Sequence, residues 1–134
     1  MCALLHDIGE LLSPNGHGEV PASILRPYIS ARNYWVLTHH EIFQAYYYLD
    51  KCEGSGDRDA RDKFKDHPYY DACVYFCNAY DQMAFDPDYD TLPLSTFMPF
   101  VHKIFRREPY WHLGVASKDT MCAAKDAISA GYAI

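Results

Sequence analysis

The chain has 134 residues, 49% apolar and 16% aromatic, enough for one domain with a core and too few for two ordinary ones. Twelve basic residues against eighteen acidic ones leave a formal charge of −6, which argues against a broad nucleic-acid surface or an anionic-membrane surface. The five cysteines include no Cys-x-x-Cys pair and suit a reducing compartment. No apolar run approaches membrane-spanning length. Ala3-Leu4-Leu5 runs straight into His6 and Asp7, unlike a secretory leader. The expectation is a cytoplasmic protein with no nucleic-acid or membrane partner.

Residues 1–12 read as the C-terminal half of a buried helix, because Ala3, Leu4, Leu5, Ile8, Leu11 and Leu12 recur at helical spacing. A core face that starts inside a helix implies packing partners upstream of residue 1. Ser13-Pro14-Asn15-Gly16 is a turn. Residues 19–29 form a short helix that tolerates Pro21 in its first turn. Ser30 is an N-cap for a helix running through Trp35, Val36, Leu37, Ile42, Phe43, Tyr46, Tyr47 and Leu49, and Glu53-Gly54-Ser55-Gly56 ends it. Asp57 caps a short charged helix, 58–64.

Pro68 stands at the first position of the strongest helix, with Tyr69, Cys73, Phe76, Tyr80 and Met83 on one stripe. Cys73 and Cys77 share a face and read as small buried hydrophobes rather than zinc ligands. A Pro- and Asp-rich loop, 85–93, leads to another amphipathic helix carrying Phe97, Phe100, Val101, Ile104 and Phe105. Nothing reads as a run of strands, so the fold class is all-α. A domain over 1–108 is followed by a tail, 109–134, in which residues 117–130 form a weak alanine-rich helix.

Chemistry concentrates at His6-Asp7, where two polar groups interrupt an apolar helix and would cost several kcal/mol if buried without partners. Adjacent residues on a helix point about 100° apart, so the two approach one ion only near a helix end or serve two ions on either side. An imidazole and a bridging carboxylate suit Fe²⁺, Mn²⁺, Mg²⁺ or Zn²⁺. His17 follows a turn, where a solvated loop role competes with ligation. Only one of His39 and His40 can face the core, which leaves the other for a supporting or substrate-facing place. Asp81 sits among aromatics, either buried by a metal or exposed at the edge of the helix stripe. His67 reads as a capping or surface residue, and His102 and His112 as structural or surface residues. There is no Gly-rich phosphate loop, no Gly-x-Ser-x-Gly elbow and no basic-aromatic stripe for single strands.

Ala3-Leu4-Leu5-His6-Asp7-Ile8-Gly9 resembles the signature of the HD metal-dependent superfamily. The longer pattern adds His17-Gly18-Glu19, then His40 with Tyr46 six residues on, then Tyr80-Asp81-Gln82 ahead of a Pro-containing loop and Leu94-Ser95-Thr96-Phe97. It is similar to the branch that includes the organophosphonate-cleaving di-iron oxygenases, with the inositol oxygenases as more distant relatives, over residues 1–107. The resemblance implies a helical bundle around a mono- or dinuclear centre, with metal ligands His6, Asp7, His17, His40 and Asp81 and with Asp7 bridging two irons. In that branch a further ligand histidine precedes the His-Asp motif, which places it upstream of this sequence. Where the phosphonate-cleaving members carry a lysine, this chain has Gln44, a hydrogen-bond donor without charge. His39, Gln44 and Tyr47 are the substrate-pocket candidates, and His39 or Arg26 could supply compensating charge.

Three functions are expected on these grounds. The first is an iron-dependent oxygenase that uses O₂ on a small polar substrate such as a hydroxylated organophosphonate. The second is an HD-type phosphohydrolase, in which the metal activates a water. The third is a non-enzymatic, truncated metal-binding fragment.

Overall fold

A computed structural model describes residues 1–49 and 56–109. Among them there are five α-helices, α1 (Cys2–Leu5), α2 (Glu19–Leu25), α3 (Ala31–Tyr48), α4 (Tyr70–Phe76) and α5 (Met98–Phe105), joined by 3-10 and π turns and with no strand. The all-α expectation holds for these residues. The break at 53–55, the helix at 117–130 and His112 lie outside them.

The 18-residue α3 is the spine. Ser30 holds an extended backbone and its Oγ accepts the Asn33 N–H at 3.2 Å, which starts the helix where the sequence placed its cap. One side of α3 meets α4, where Val36, Phe43, Cys73, Phe76 and Cys77 form a buried cluster flanked by Trp35, Phe64 and Tyr70. Phe43 is fully buried against these rings, with centroids 5.2 Å from Tyr70 and 5.7 Å from Trp35. Another side of α3 meets α2, where Leu37 joins Ala22, Leu25 and Ile29, with Leu5 of α1 packed against them. Full burial of a Leu or Phe contributes about 1.5–3 kcal/mol, so these two seams fix α3 between its neighbours.

The two cysteines behave as small hydrophobes. Both are fully buried, and the Cys77 Sγ donates to the His40 carbonyl at 3.5 Å. The neighbouring Cys73 thiol and burial together push the Cys77 pKa far up, so it remains a neutral thiol.

Four sequence expectations change. The N-terminal helix stops at Leu5, and Leu11 and Leu12 are 97% and 77% exposed rather than part of a core face. The chain leaves the helix at His6 because Gly9 is pressed onto the His17 carbonyl; a Cβ there would stand 2.3 Å from that oxygen. Second, Pro27 breaks the 19–29 segment into α2 and a 3-10 turn, Arg26–Tyr28. Third, Asp57 accepts the Asp59 N–H at 3.0 Å in a side-chain turn, and only Ala60–Phe64 is helical, as 3-10.

The fourth change concerns the strongest helix. It begins at Tyr70, two residues past Pro68, and at Cys77 it passes into a π turn, Cys77–Asp81, then a 3-10 turn, Gln82–Phe85. One extra residue in a turn rotates the downstream positions by roughly 100° relative to an α-helix. Tyr80 and Met83 therefore leave the core stripe and are exposed, while Asp81 turns inward and is 5% exposed. In α5 only Ile104 is buried; Phe100 and Phe105 are exposed.

A chemical-denaturation pair checks this arrangement. Phe43→Ala is expected to cost about 3–5 kcal/mol, the range for emptying a packed aromatic site. Leu11→Ala should stay within about 0.5 kcal/mol. A large loss from the Leu11 change would restore the long N-terminal helix.

Candidate metal centre

Four local structures converge on one spot. The end of α1 delivers His6 and Asp7, the turn before α2 delivers His17, the middle of α3 delivers His40, and the π turn delivers Asp81. His40 is 1% exposed and lies between the two packing seams of α3. His39, its neighbour, points elsewhere: its ring stacks on Trp35 at 4.2 Å, and Trp35 stacks on His67 at 4.2 Å.

The donor atoms fall into two groups that share His40: Asp7, His17 and His40 in one, and His6, His40 and Asp81 in the other. In the first, the edges of the triangle are 3.1 Å (Asp7 Oδ1 to His17 Nε2), 3.1 Å (His17 Nε2 to His40 Nε2) and 3.2 Å (His40 Nε2 to Asp7 Oδ1). Three ligands at right angles on one ion, each bonded at about 2.1 Å, stand roughly 3 Å apart. The second oxygen of Asp7, Oδ2, faces the other group, 3.0 Å from His6 Nε2, and Asp81 Oδ1 lies 3.6 Å from the same nitrogen. Asp7 thus has one oxygen toward each group.

The protonation pattern favours ligation. The His6 and His40 Nδ1 atoms lie 2.9 Å from the Ala3 carbonyl and 2.7 Å from the Leu37 carbonyl, so each Nδ1 carries the hydrogen and donates. Each Nε2 of a neutral ring is then a lone pair aimed at the centre. The His6 Nε2 is buried and makes no hydrogen bond although carboxylate oxygens surround it. The His17 and His40 Nε2 atoms face each other, and two lone pairs at 3.1 Å repel unless a cation or a proton lies between them. A divalent ion would satisfy every one of these atoms, so the residues present fit a metal.

Glycines permit the approach. A Cβ on Gly18 would come within 2.3 Å of the Leu37 carbonyl and 2.9 Å of His40 Cε1, so the His17 turn can lie this close to α3 only with glycine there. Gly16 has φ +86° with open space around it, the left-handed step that turns the chain.

Around the centre, Gln44 lies one turn beyond His40, is 5% exposed and donates from Nε2 to Gln82 Oε1 at 3.2 Å. Tyr47 is half-buried against the α3–α4 cluster. Arg26 lies over the Tyr34 ring, 5.1 Å away. His67 accepts the Tyr69 N–H at 3.2 Å, as a capping residue would, and His102 is exposed.

One residue beside the centre carries no motif: Glu41, which binds the His17 turn. Glu41 was legible in principle as the residue after a ligand histidine, but nothing in its spacing marks a partner in a loop 25 positions away.

No known family model matches the chain, and no curated protein or solved structure does either.

Without a cation, the charges decide stability. Burial opposes a charged His6, but hydrogen-bonding reach to Asp7 and Asp81 outweighs it and pushes the pKa up to about 10. Burial likewise opposes a charged Asp7, yet His40 and His6 hold its carboxyl far below the usual carboxylate range. The raised histidine contributes stability fully below about pH 6.5 and loses it as pH rises through the folded value. The depressed carboxylate contributes above about pH 4 and loses it in acid. The chelator-treated protein should therefore melt highest between about pH 4 and 6.5 and decline above that window. Excess Mn²⁺ should remove the alkaline decline by replacing the proton on His6. An alkaline decline of the same size with Mn²⁺ and with chelator would show that no cation reaches this atom.

Proposed function

We propose that the chain is an HD-type helical metalloprotein whose centre holds two divalent ions, physiologically iron, and serves an oxygenase acting on a small polar substrate. The observation that carries this reading is the pairing of a two-histidine, one-carboxylate face (His17, His40, Asp7) with a second group (His6, Asp81) on the other oxygen of the same Asp7. A facial set of two imidazoles and a carboxylate leaves open positions opposite it, the arrangement used by non-haem iron enzymes that activate O₂. Iron bound there would supply O₂ activation and removal of hydrogen from a substrate carbon. The motif resemblance supplies the substrate class, a hydroxylated organophosphonate.

The protein's own part is placement. Carbonyls at Ala3 and Leu37 fix the His6 and His40 rings by their Nδ1 hydrogens, so the ligand nitrogens need no reorganisation on loading. The seams that bury Leu37 and Phe43 exclude water from one side of His40. Gln44 offers its amide to a neutral or anionic oxygen of the substrate, and its Oε1, buried and without a hydrogen bond, can accept a substrate hydroxyl. With Gln44 in place of a lysine, the anion loses a direct charge partner at that position.

Phosphoester hydrolysis is the rival reaction for such a centre, since a metal-bound water is acidic enough to act as a nucleophile. Metal content and oxygen uptake separate the readings. Purified anaerobically with Fe²⁺, the protein should carry close to two irons, Asp81→Ala about one, and Asp7→Ala close to none. The loaded protein should consume O₂ with a hydroxyphosphonate. Phosphoester turnover at equal rates with and without air would favour the hydrolase, and negligible iron in the unmutated protein would sink the metal reading.

A further inference from the structure

Glu41 is half-buried in the middle of α3 yet reaches across to the turn that carries His17. Its Oε2 accepts the Gly16 N–H at 3.2 Å and its Oε1 accepts the Gly18 N–H at 2.6 Å. The same Oε1 stands 3.4 Å from His17 Nδ1. The positive φ of Gly16 turns the backbone N–H groups on either side of His17 toward one point, a concavity of the kind that binds anions. The carboxylate of Glu41 fills it.

We infer that Glu41 is the positioning residue that makes His17 a ligand, by clamping the Gly16–Gly18 turn onto α3 and taking the Nδ1 side of the His17 ring; this rests on the metal reading above. The contrast with the other two histidines is decisive. His6 and His40 sit at the end and in the middle of helices, and each ring is oriented by a carbonyl three residues earlier. His17 lies in a turn, has no such carbonyl, and its ring is oriented from outside its own segment. Without Glu41, the backbone N–H groups of Gly16 and Gly18 lose their side-chain acceptor, and nothing assigns the His17 hydrogen to Nδ1. Both Glu41 oxygens are engaged with the turn, and Glu41 belongs to neither donor group of the centre, so it is not itself a ligand.

The two ions depend on Glu41 unequally. His17 belongs only to the group with Asp7 and His40, whereas His6 and Asp81 belong to the other. Loss of Glu41 therefore weakens one ion and spares the other. Replacing the partner that orients a ligand typically costs 10–100-fold in metal affinity.

The test is a Co²⁺ titration of the whole chain, monitored by visible absorption and by thermal unfolding, for the unmutated protein, Glu41→Gln, His17→Ala and the double variant. Glu41→Gln retains the length and one acceptor oxygen but sets its NH₂ against the other backbone N–H. The metal-free melting temperature is therefore read beside that of the unmutated protein, to separate loosening of the fold from loss of the ligand. The expected result is two Co²⁺ in the unmutated protein and one of them weakened 10–100-fold by Glu41→Gln, with a changed absorption band. In the His17→Ala background the Glu41 change should add nothing, because the two residues act on one ligand. Unchanged affinity in Glu41→Gln, or an equal loss with and without His17, overturns the positioning role while leaving the metal centre standing. Failure of the unmutated protein to bind Co²⁺ removes both.

Discussion

Three ring nitrogens and the carboxylates of Asp7 and Asp81 converge on one small volume, and the way charge is shared among them constrains everything built around it. His6 Nε2 has no hydrogen bond, and His17 Nε2 faces His40 Nε2 at 3.1 Å. His40 and Asp81 are buried, His6 and His17 half-buried and Asp7 exposed. Holding the buried members beside one another is costly unless positive charge is shared among them. A proton held on His6 does this up to about pH 10, and a divalent ion can do it at any pH that leaves the imidazoles neutral. The rest of the described fold serves to hold this unfavourable set together.

The hydrophobic seams provide the force. α3 is held on one side by Phe43, Phe76, Cys73 and Cys77 and on another by Leu37, Leu25 and Ala22. His40, between them, is therefore fixed by apolar burial rather than by its own polar contacts. The α1 end and the His17 turn are fixed differently. They interlock by backbone approach, Gly9 against the His17 carbonyl and Gly18 against the Leu37 carbonyl, and a methyl group at either glycine would force them apart. Asp81 depends on a third device, the π turn, which rotates one residue out of an α-helical path. Single turns of this kind are rare and concentrate at functional sites.

Much of this is legible in the residues alone. The Ser30 cap, the long helix behind it and the buried character of Cys73 and Cys77 all arise from local rules, and the structure agrees on each. His6 and Asp7 stand out because they interrupt an apolar run, and the helix ends beside them at Leu5. The choice between one ion near a helix end and two ions on either side is not made by the residues alone. The dilemma at His39 and His40 is also visible, since adjacent helical positions cannot both face one core, but the choice of His40 is not. Trp35 decides it by drawing the His39 ring onto its own face.

The sequence by itself determined the all-helical class, the caps and turns, and the donor types available, because these depend on side-chain chemistry and on neighbours a few positions away. Only the tertiary structure decided which donors meet. Leu11 and Leu12 keep a helical spacing yet are exposed, because Gly9 has to reach His17. Asp81 reads equally as buried or as the exposed edge of a stripe, and the residue gained at Cys77 turns it inward. Glu41 carries no motif, and its partners are 23 and 25 positions away in sequence. Periodicity describes one element at a time, whereas a centre assembled from four segments depends on contacts between elements, which no local pattern encodes.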